Sequence, residues 1–453
     1  MIETKSRAHG TPTKDFFVRM ITRDITLADC IMDLVDNAVD GARRSAKLEG
    51  RKKNTDFLRG FSVTIRATGS QITVNDNCGG ISLDDAVNYA FHFGRRKDAP
   101  RDVDTSIGLY GIGMKRAIFK MGRQAKVESV TKAEKYTVVV NVDEWERKLE
   151  DWDFDIDDKV DSDSIGTRIT ISQLYETVSA AFSDQTFVNN LIRTMARDYA
   201  FILKSGFEIK IHTENSLIVV PRYDYKLKKN SDFMPGLVAY VDENVNIRII
   251  CGIASDLPNE IPEELRQEKA EYSGWYVICN DRVVVAGDKT DLTVWGNGDF
   301  VGWHPQYNGF AGFLFMNSED DASRLPWKTT KREVDTSELR YQRAIINMKN
   351  LTRQFIDYTN ERKGDPESAK RKEAQAASIS IVELKSESIT MRLPSVVAKP
   401  SFREKMVQVS FSKPLAKIKK AAEALGDFSL SASAVGSKAF DYFYKIEVED
   451  DQK

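Results

Sequence analysis

The chain of 453 residues is poor in the residue types that hold metals and disulfides, with four cysteines and four histidines. Cys30, Cys78, Cys251 and Cys279 lie far apart, and no Cys-x-x-Cys pair occurs. That spacing argues against a zinc site and against a secreted disulfide framework. His9, His92, His212 and His304 are equally scattered, and none pairs with a cysteine at ligand spacing. No apolar run approaches the length of a membrane span, and the polar N-terminus lacks the apolar core of a signal peptide. A cytoplasmic protein is therefore expected. An excess of one charge is missing too: 68 acids against 66 Lys and Arg leave a net charge of −2. No global field points to nucleic acid or membrane.

What is present is a globular composition, 41% hydrophobic and 30% charged, in a chain long enough for two or three domains. The most informative stretch is Leu27 to Asp40, an amphipathic helix with two incompatible faces. Leu27, Cys30, Ile31, Leu34, Val35 and Ala38 recur at helical spacing as a core stripe. Asp29, Asp33, Asp36, Asn37 and Asp40 gather on the other side. Like charges at this spacing repel, so either a cation such as Mg²⁺ belongs there or the face is simply solvated. Thr26 is the expected N-cap, with Asp29 as its capping-box partner.

Two strands are expected at 61–66 and 71–75, the second running into Asp76-Asn-Cys-Gly-Gly. Paired glycines after a strand mark a tight turn where something approaches the backbone closely, although an ordinary turn would also use them. A helix follows at 83–93. The polar stretch 94–106 then has the composition of a basic lid, including Arg95, Arg96 and Lys97. Gly108, Gly111 and Gly113 open a further helix, whose apolar face is Met114, Ala117, Ile118 and Met121. A helix N-terminus reached through glycines offers free N–H groups to phosphate. Lys115 in its first turn opposes the helix dipole, which favours a ligand-facing role. Strands are expected near 126–130 and 135–142, a surface hairpin or loop over 145–163, and a Gly166-Thr167 strand after it.

These pieces, in this order, resemble the GHKL ATPase superfamily: DNA gyrase B, MutL, MORC proteins, heat-shock chaperones and histidine kinases. The resemblance rests on the acid-x-x-x-Asn helix (Asp33, Asn37), the Asp76 turn, the Gly108–Gly113 lid end and the Gly166-Thr167 strand. It implies an α+β fold: a two-layer α/β sandwich of the Bergerat type over 1–220, followed by an α/β transducer domain over 221–362. A linker region at 363–400 and a small C-terminal module at 401–453 complete the expected layout. By the same resemblance Asn37 would hold Mg²⁺ on the phosphates of ATP, and Asp33 would stand where the general base activates water. Asp76 would accept the adenine amino group, Gly80 would let the base lie on the backbone, and Thr167 would support Asp76 through water. Gly108, Gly111, Gly113 and Lys115 would cover the triphosphate. Two departures stand out: MutL and MORC usually have Glu where Asp33 stands, and the family has Gly where Cys78 stands. The shorter acid puts turnover in question more than binding.

Further on, Gly274 to Gly287 reads as a hairpin resembling the Asn-x-Arg segment of MutL- and MORC-type transducers. Lys331, in Lys-Arg-Glu-Val, resembles the transducer lysine that reaches the γ-phosphate, with Lys328 as the other candidate. A charged helix is expected over 337–363 and linker or exposed-helix composition over 364–375. The tail holds a basic helix at 414–425 and a final aromatic strand at 440–448, and resembles no named family. The expected protein is an ATPase that dimerises on binding ATP and clamps DNA. The rivals are a chaperone-like clamp on protein, a histidine kinase, and a nucleotide sensor with little hydrolysis.

Overall fold

Alternation of apolar and polar residues builds the first sheet. Val63, Ile65, Ile72, Val74, Ile169 and Ile171 point to one face and are buried, while Thr64, Arg66, Thr73, Asn75, Arg168 and Thr170 line the other. The computed structural model describes residues 12–53, 56–94, 107, 111–148, 150–161, 163–213, 217–256, 261–262, 265–266, 268–328, 330–384, 388–394, 407–410 and 412–449. Its first sheet contains β1 (Ser62–Ala67), β2 (Gln71–Asp76), β3 (Gly122–Val130), β4 (Lys135–Asn141), β5 (Ile156–Asp157), β6 (Gly166–Leu174), β7 (Glu208–His212) and β8 (Leu217–Val219). The strand order is β5-β4-β3-β6-β2-β1-β7-β8, antiparallel except for the β1–β7 pair. An antiparallel sheet of this kind can keep one face polar and cover the other with helices.

The helices of this layer are α1 (Lys14–Arg23), α2 (Leu27–Leu48), α3 (Leu83–Asp85), α4 (Gly113–Met121), α5 (Val142–Arg147), α6 (Glu176–Ser183), α7 (Gln185–Asp198) and α8 (Ala200–Lys204). After α3 the chain continues as a π-helical turn, Ala86–Ala90. α2 and α4 pack on each other and over β1, β3 and β6. The capping box on α2 is formed: the Asp29 N–H donates to Thr26 Oγ1 at 3.1 Å, and the Thr26 N–H to Asp29 Oδ2 at 3.3 Å.

The expected surface hairpin or loop at 145–163 is corrected at its start. Its first residues form α5, capped by Asn141, and Trp145 is buried. Trp145 packs against Phe119 (5.2 Å), Phe93 (5.6 Å) and Trp152 (5.3 Å), with Lys14 Nζ 4.0 Å from its ring. The acidic residues around it mark the solvent side of a segment whose aromatics belong to the core.

The second sheet follows β9 (Lys226–Lys228) and has β10 (Gly236–Asp242), β11 (Val245–Ile253), β12 (Gly274–Cys279), β13 (Arg282–Asp288) and β14 (Phe310–Ser318) in the order β10-β11-β14-β12-β13. α9 (Lys269–Tyr272) precedes β12. Every residue of β12 is buried, so the sheet is covered on both faces at this strand. α10 (Leu339–Glu361) packs on β10, β11 and β14, while α7 and α8 pack on β13. The residues expected as linker run through α11 (Pro366–Gln375) and β15 (Ser378–Ser380), which pairs antiparallel with β9.

The chain forms two compact units, residues 1–398 and 399–453. The second unit contains α12 (Leu415–Ala424) and α13 (Ala432–Tyr444), which touch each other. The aromatic strand expected at 440–448 is therefore wrong. Ser431 caps a helix through Ala434 N–H at 3.2 Å, and the run Ala432 to Ala439 carries it into the aromatics. A short apolar run does not reveal its own period, and the preceding helix decided it.

Candidate functional site

Asp29, Asp33, Asp36 and Asp40 follow one another at steps of four, three and four along α2, which stacks them on one stripe. The first three are buried. Neither a solvated face nor a ready-made metal cluster results; among the described residues no group of three or more His, Cys, Asp or Glu could hold a metal. Cations from distant parts of the chain fill the stripe instead. Arg332 meets Asp29. Arg116, on α4, donates to Asp33 Oδ2 from Nε at 2.8 Å and from Nη2 at 2.5 Å. Lys331 Nζ reaches Asp33 Oδ1 at 3.3 Å and Asp36 Oδ2 at 2.7 Å. Arg282 Nε lies 3.2 Å from Asp36 Oδ1, which also accepts from the Tyr199 hydroxyl at 2.8 Å. Asp40 accepts from the backbone N–H of Ile107 at 2.8 Å. Asn37 is exposed.

Burial alone would raise the Asp36 pKa, but Lys331 and Arg282 outweigh it and hold the carboxyl below its usual range. Burial alone would likewise lower the Lys331 pKa, and Asp36 and Asp33 reverse that. The two partners agree in direction: both stay charged, because each is the other's compensation for lost water. Lys331 sits at φ +53°, a left-handed backbone that a lysine adopts at a cost of about 1 kcal/mol or more. Lys328, the other candidate, pairs with Glu333 at 2.8 Å on the surface. Arg282 and Lys331 both come from outside the first sheet's layer. The hairpin that carries Arg282 turns through Asn280 (φ +46°) and Asp281 (φ +63°), the two-residue type I′ geometry. Arg43 on α2 donates to the Asn280 carbonyl at 2.8 Å, so the turn rests against the acidic helix.

The Asp76 turn is built as tightly as its glycines suggest. Gly80 has φ +74°, and a Cβ there would meet the Val130 carbonyl at 2.5 Å. Cys78, the family's glycine position, is buried and does not adopt a positive φ, so a side chain is tolerated. Asp76 Oδ1 accepts from the backbone N–H groups of Cys78 (2.8 Å) and Thr167 (3.2 Å). Thr167 thus reaches Asp76 directly through its main chain. Burial pushes the Asp76 pKa up to about 6, against the pull of those two N–H donors. Ser129, which the sequence reading did not single out, ties the turn to β3: its Oγ accepts from Ile81 N–H at 2.7 Å and donates to Ile81 O at 2.9 Å.

At the glycine end of α4, Gly111 has φ +66°, and a Cβ on Gly113 would meet Asp33 Cγ at 3.1 Å. Lys115 points inward. It is buried, and its Nζ donates to the carbonyls of Ala90 (2.7 Å) and Gly111 (2.5 Å). Burial lowers its pKa to about 7. Gly108 and the basic lid residues Arg95, Arg96 and Lys97 lie outside the described residues. Arg116 was also missed, although it follows Lys115 directly; only the folded chain brings it to Asp33.

Residues 25–167 match the family model described as Histidine kinase-, DNA gyrase B-, and HSP90-like ATPase. This supports a GHKL-type ATPase domain. The match supports ATP binding as well. Every site residue expected on the first sheet's layer falls inside the match, and Lys331 falls outside it. No curated protein matches the chain. The donor set of the GHKL-type domain fits Mg-ATP: Mg²⁺ on phosphates asks for one or two protein oxygens, and Asn37 offers an exposed one. The Asp76 carboxyl, fixed by two backbone donors on one oxygen, suits a single amino-group contact.

Proposed function

We propose that the chain is a Mg-ATP-dependent ATPase whose nucleotide state is communicated from the GHKL-type domain to the second sheet's layer through Lys331. The observation that carries this reading is the contact of Lys331 with Asp33 and Asp36, across nearly 300 positions of sequence. Asp76 would accept the adenine amino group, and Asn37 would orient the metal on the phosphates. Mg²⁺ bound there supplies neutralisation of phosphate charge. Asp33 would take the proton from the attacking water as the bond to the γ-phosphorus forms and the bond to the ADP oxygen breaks. Lys331 would offset charge on the terminal phosphate.

Slow hydrolysis, or a sensor with almost none, has specific support: both oxygens of Asp33 already accept from cations. A steady-state ATPase assay on wild type and Asp33→Ala tests the assignment. A rate that falls at least about a hundredfold is expected for loss of a general base, and equal rates would remove Asp33 from that role. ATP-dependent homodimerisation and action on DNA rest on the resemblance to the MutL and MORC layout. Size-exclusion chromatography with a non-hydrolysable ATP analogue tests the first; a monomer in every state would sink it. DNA binding that weakens steeply with salt is expected for the second.

A further inference from the structure

Asp33 occupies an unusual place for an acid awaiting a water molecule. Its side chain is 5% exposed, and the side chains of Arg116 and Lys331 that grip it are 6% and 7% exposed. Arg116 puts two N–H groups on Oδ2, and Lys331 takes Oδ1. The carboxyl lies directly against Gly113, where an added Cβ would come within 3.1 to 3.2 Å of Cβ, Cγ and Oδ2 of Asp33. An anion site between two buried cations therefore lies at the glycine end of α4, occupied by a carboxylate of the protein itself.

We propose that Arg116 is a ligand for the terminal phosphate of a bound nucleoside triphosphate, kept in reserve by Asp33 until that phosphate displaces the carboxylate. The inference rests on the ATP-binding reading above and adds a residue and a selectivity to it. A guanidinium offers its planar fork equally well to carboxylate and phosphate. A terminal phosphate carries more charge than a carboxylate and competes successfully for both cations. Asp36 tolerates the departure of Lys331 because Arg282 and Tyr199 remain on it. Asp33 is released by the same exchange and gains a free oxygen for water. A nucleoside diphosphate lacks the displacing group, so Arg116 discriminates triphosphate from diphosphate.

The test is calorimetric titration of the full chain with Mg-ADP and with a non-hydrolysable Mg-ATP analogue. Five proteins are compared: wild type, Arg116→Gln, Arg116→Lys, Asp33→Asn and the double variant of Asp33→Asn with Arg116→Gln. Arg116→Gln should lose about tenfold or more in affinity for the triphosphate analogue while changing ADP affinity less than about twofold, and Arg116→Lys should restore part of the loss. Asp33→Asn removes the internal competitor and should tighten the analogue several-fold without tightening ADP. That gain should vanish when Arg116→Gln is added. Arg116→Gln weakening both nucleotides equally, or Asp33→Asn leaving the analogue unchanged, would show a structural ion pair between α2 and α4 and overturn the assignment. Should Arg116→Gln fail to fold, as judged by its melting curve, the near-isosteric Asp33→Asn decides alone. Wild type that binds neither nucleotide would instead remove the ATP-binding reading, and this inference with it.

Discussion

Asp76, if it accepts the adenine amino group as proposed, serves function at the expense of stability. Its pKa of about 6 lies above the ordinary 3.8, so folding favours the protonated form. The stability linked to this group is therefore fully present below about pH 3.8 and is lost as pH rises through 6. Ligand binding runs the other way, because only the carboxylate accepts from an amino group without restriction. Nucleotide affinity should fall as pH drops through about 6, and titrations at several pH values check this. Asp76→Asn keeps an acceptor for the two backbone N–H groups and removes the buried charge. At pH 7.5 it should unfold at a higher temperature, by up to ~2–3 kcal/mol of stability, yet bind nucleotide at least about tenfold more weakly. A melting curve and a binding titration on the same sample measure both signs. Gly80→Ala meets a different limit, since its φ and the Val130 carbonyl both oppose a side chain. A loss of about 1–3 kcal/mol is expected from the strained backbone, read from urea denaturation.

At the scale of the element, α2 does three jobs with one amphipathic pattern. Its apolar stripe fills the core under the first sheet, its capping box starts it, and its acids receive cations from α4, β13 and the 331 segment. Asp29 serves two of these jobs, with Oδ2 in the cap and Oδ1 facing Arg332. Thr26→Ala should cost about 1 kcal/mol through the lost cap, visible as a lower denaturation midpoint with an unchanged slope. The π-helical turn at Ala86–Ala90 places the Ala90 carbonyl on Lys115. Lys115 thereby ties Ala90 to Gly111, a role its position in the first turn of a helix did not suggest.

For the whole molecule the decisive feature is that one acidic helix joins two sheets. Asp36 is where the charge arrangement converges, because Lys331 and Arg282 meet on it while also reaching Asp33 and Asp198. Asp36→Ala takes the shared partner from two buried cations while Asp33 and Asp198 still compensate them, so a loss of about 3 kcal/mol, the low end for a broken buried pair, is expected. Chemical denaturation would register it, and a cost under about 1 kcal/mol would mean the layers are held by apolar packing alone. That packing is substantial: α7 and α8 contact the second sheet as well, with Phe201 and Phe315 at a centroid distance of 5.0 Å. No helix among the described residues is long and apolar enough to cross a membrane.

Much of the first layer was legible in the sequence because it rests on local rules. The period of Leu27 to Ala38, the Thr26 cap, the alternation in β1, β2 and β6, and the glycines of the Asp76 turn each state their structure within a few residues. The order of those pieces was enough to suggest a GHKL-type ATPase domain. The sequence could not say who partners whom. Arg116 with Asp33, Lys331 with Asp36, Arg332 with Asp29 and Arg282 with Asp36 are pairings between segments far apart in the chain, and burial of a charge has no local signature. The two corrections have different causes. Trp145 is core because Lys14, Phe93, Phe119 and Trp152 converge on it, and residues 440–444 are helical because α13 was already running when it reached them. The acids of α2 are evident in the sequence itself. Only the tertiary structure decided that they face the protein's own cations, since a carboxylate taken out of water holds its charge only beside a partner.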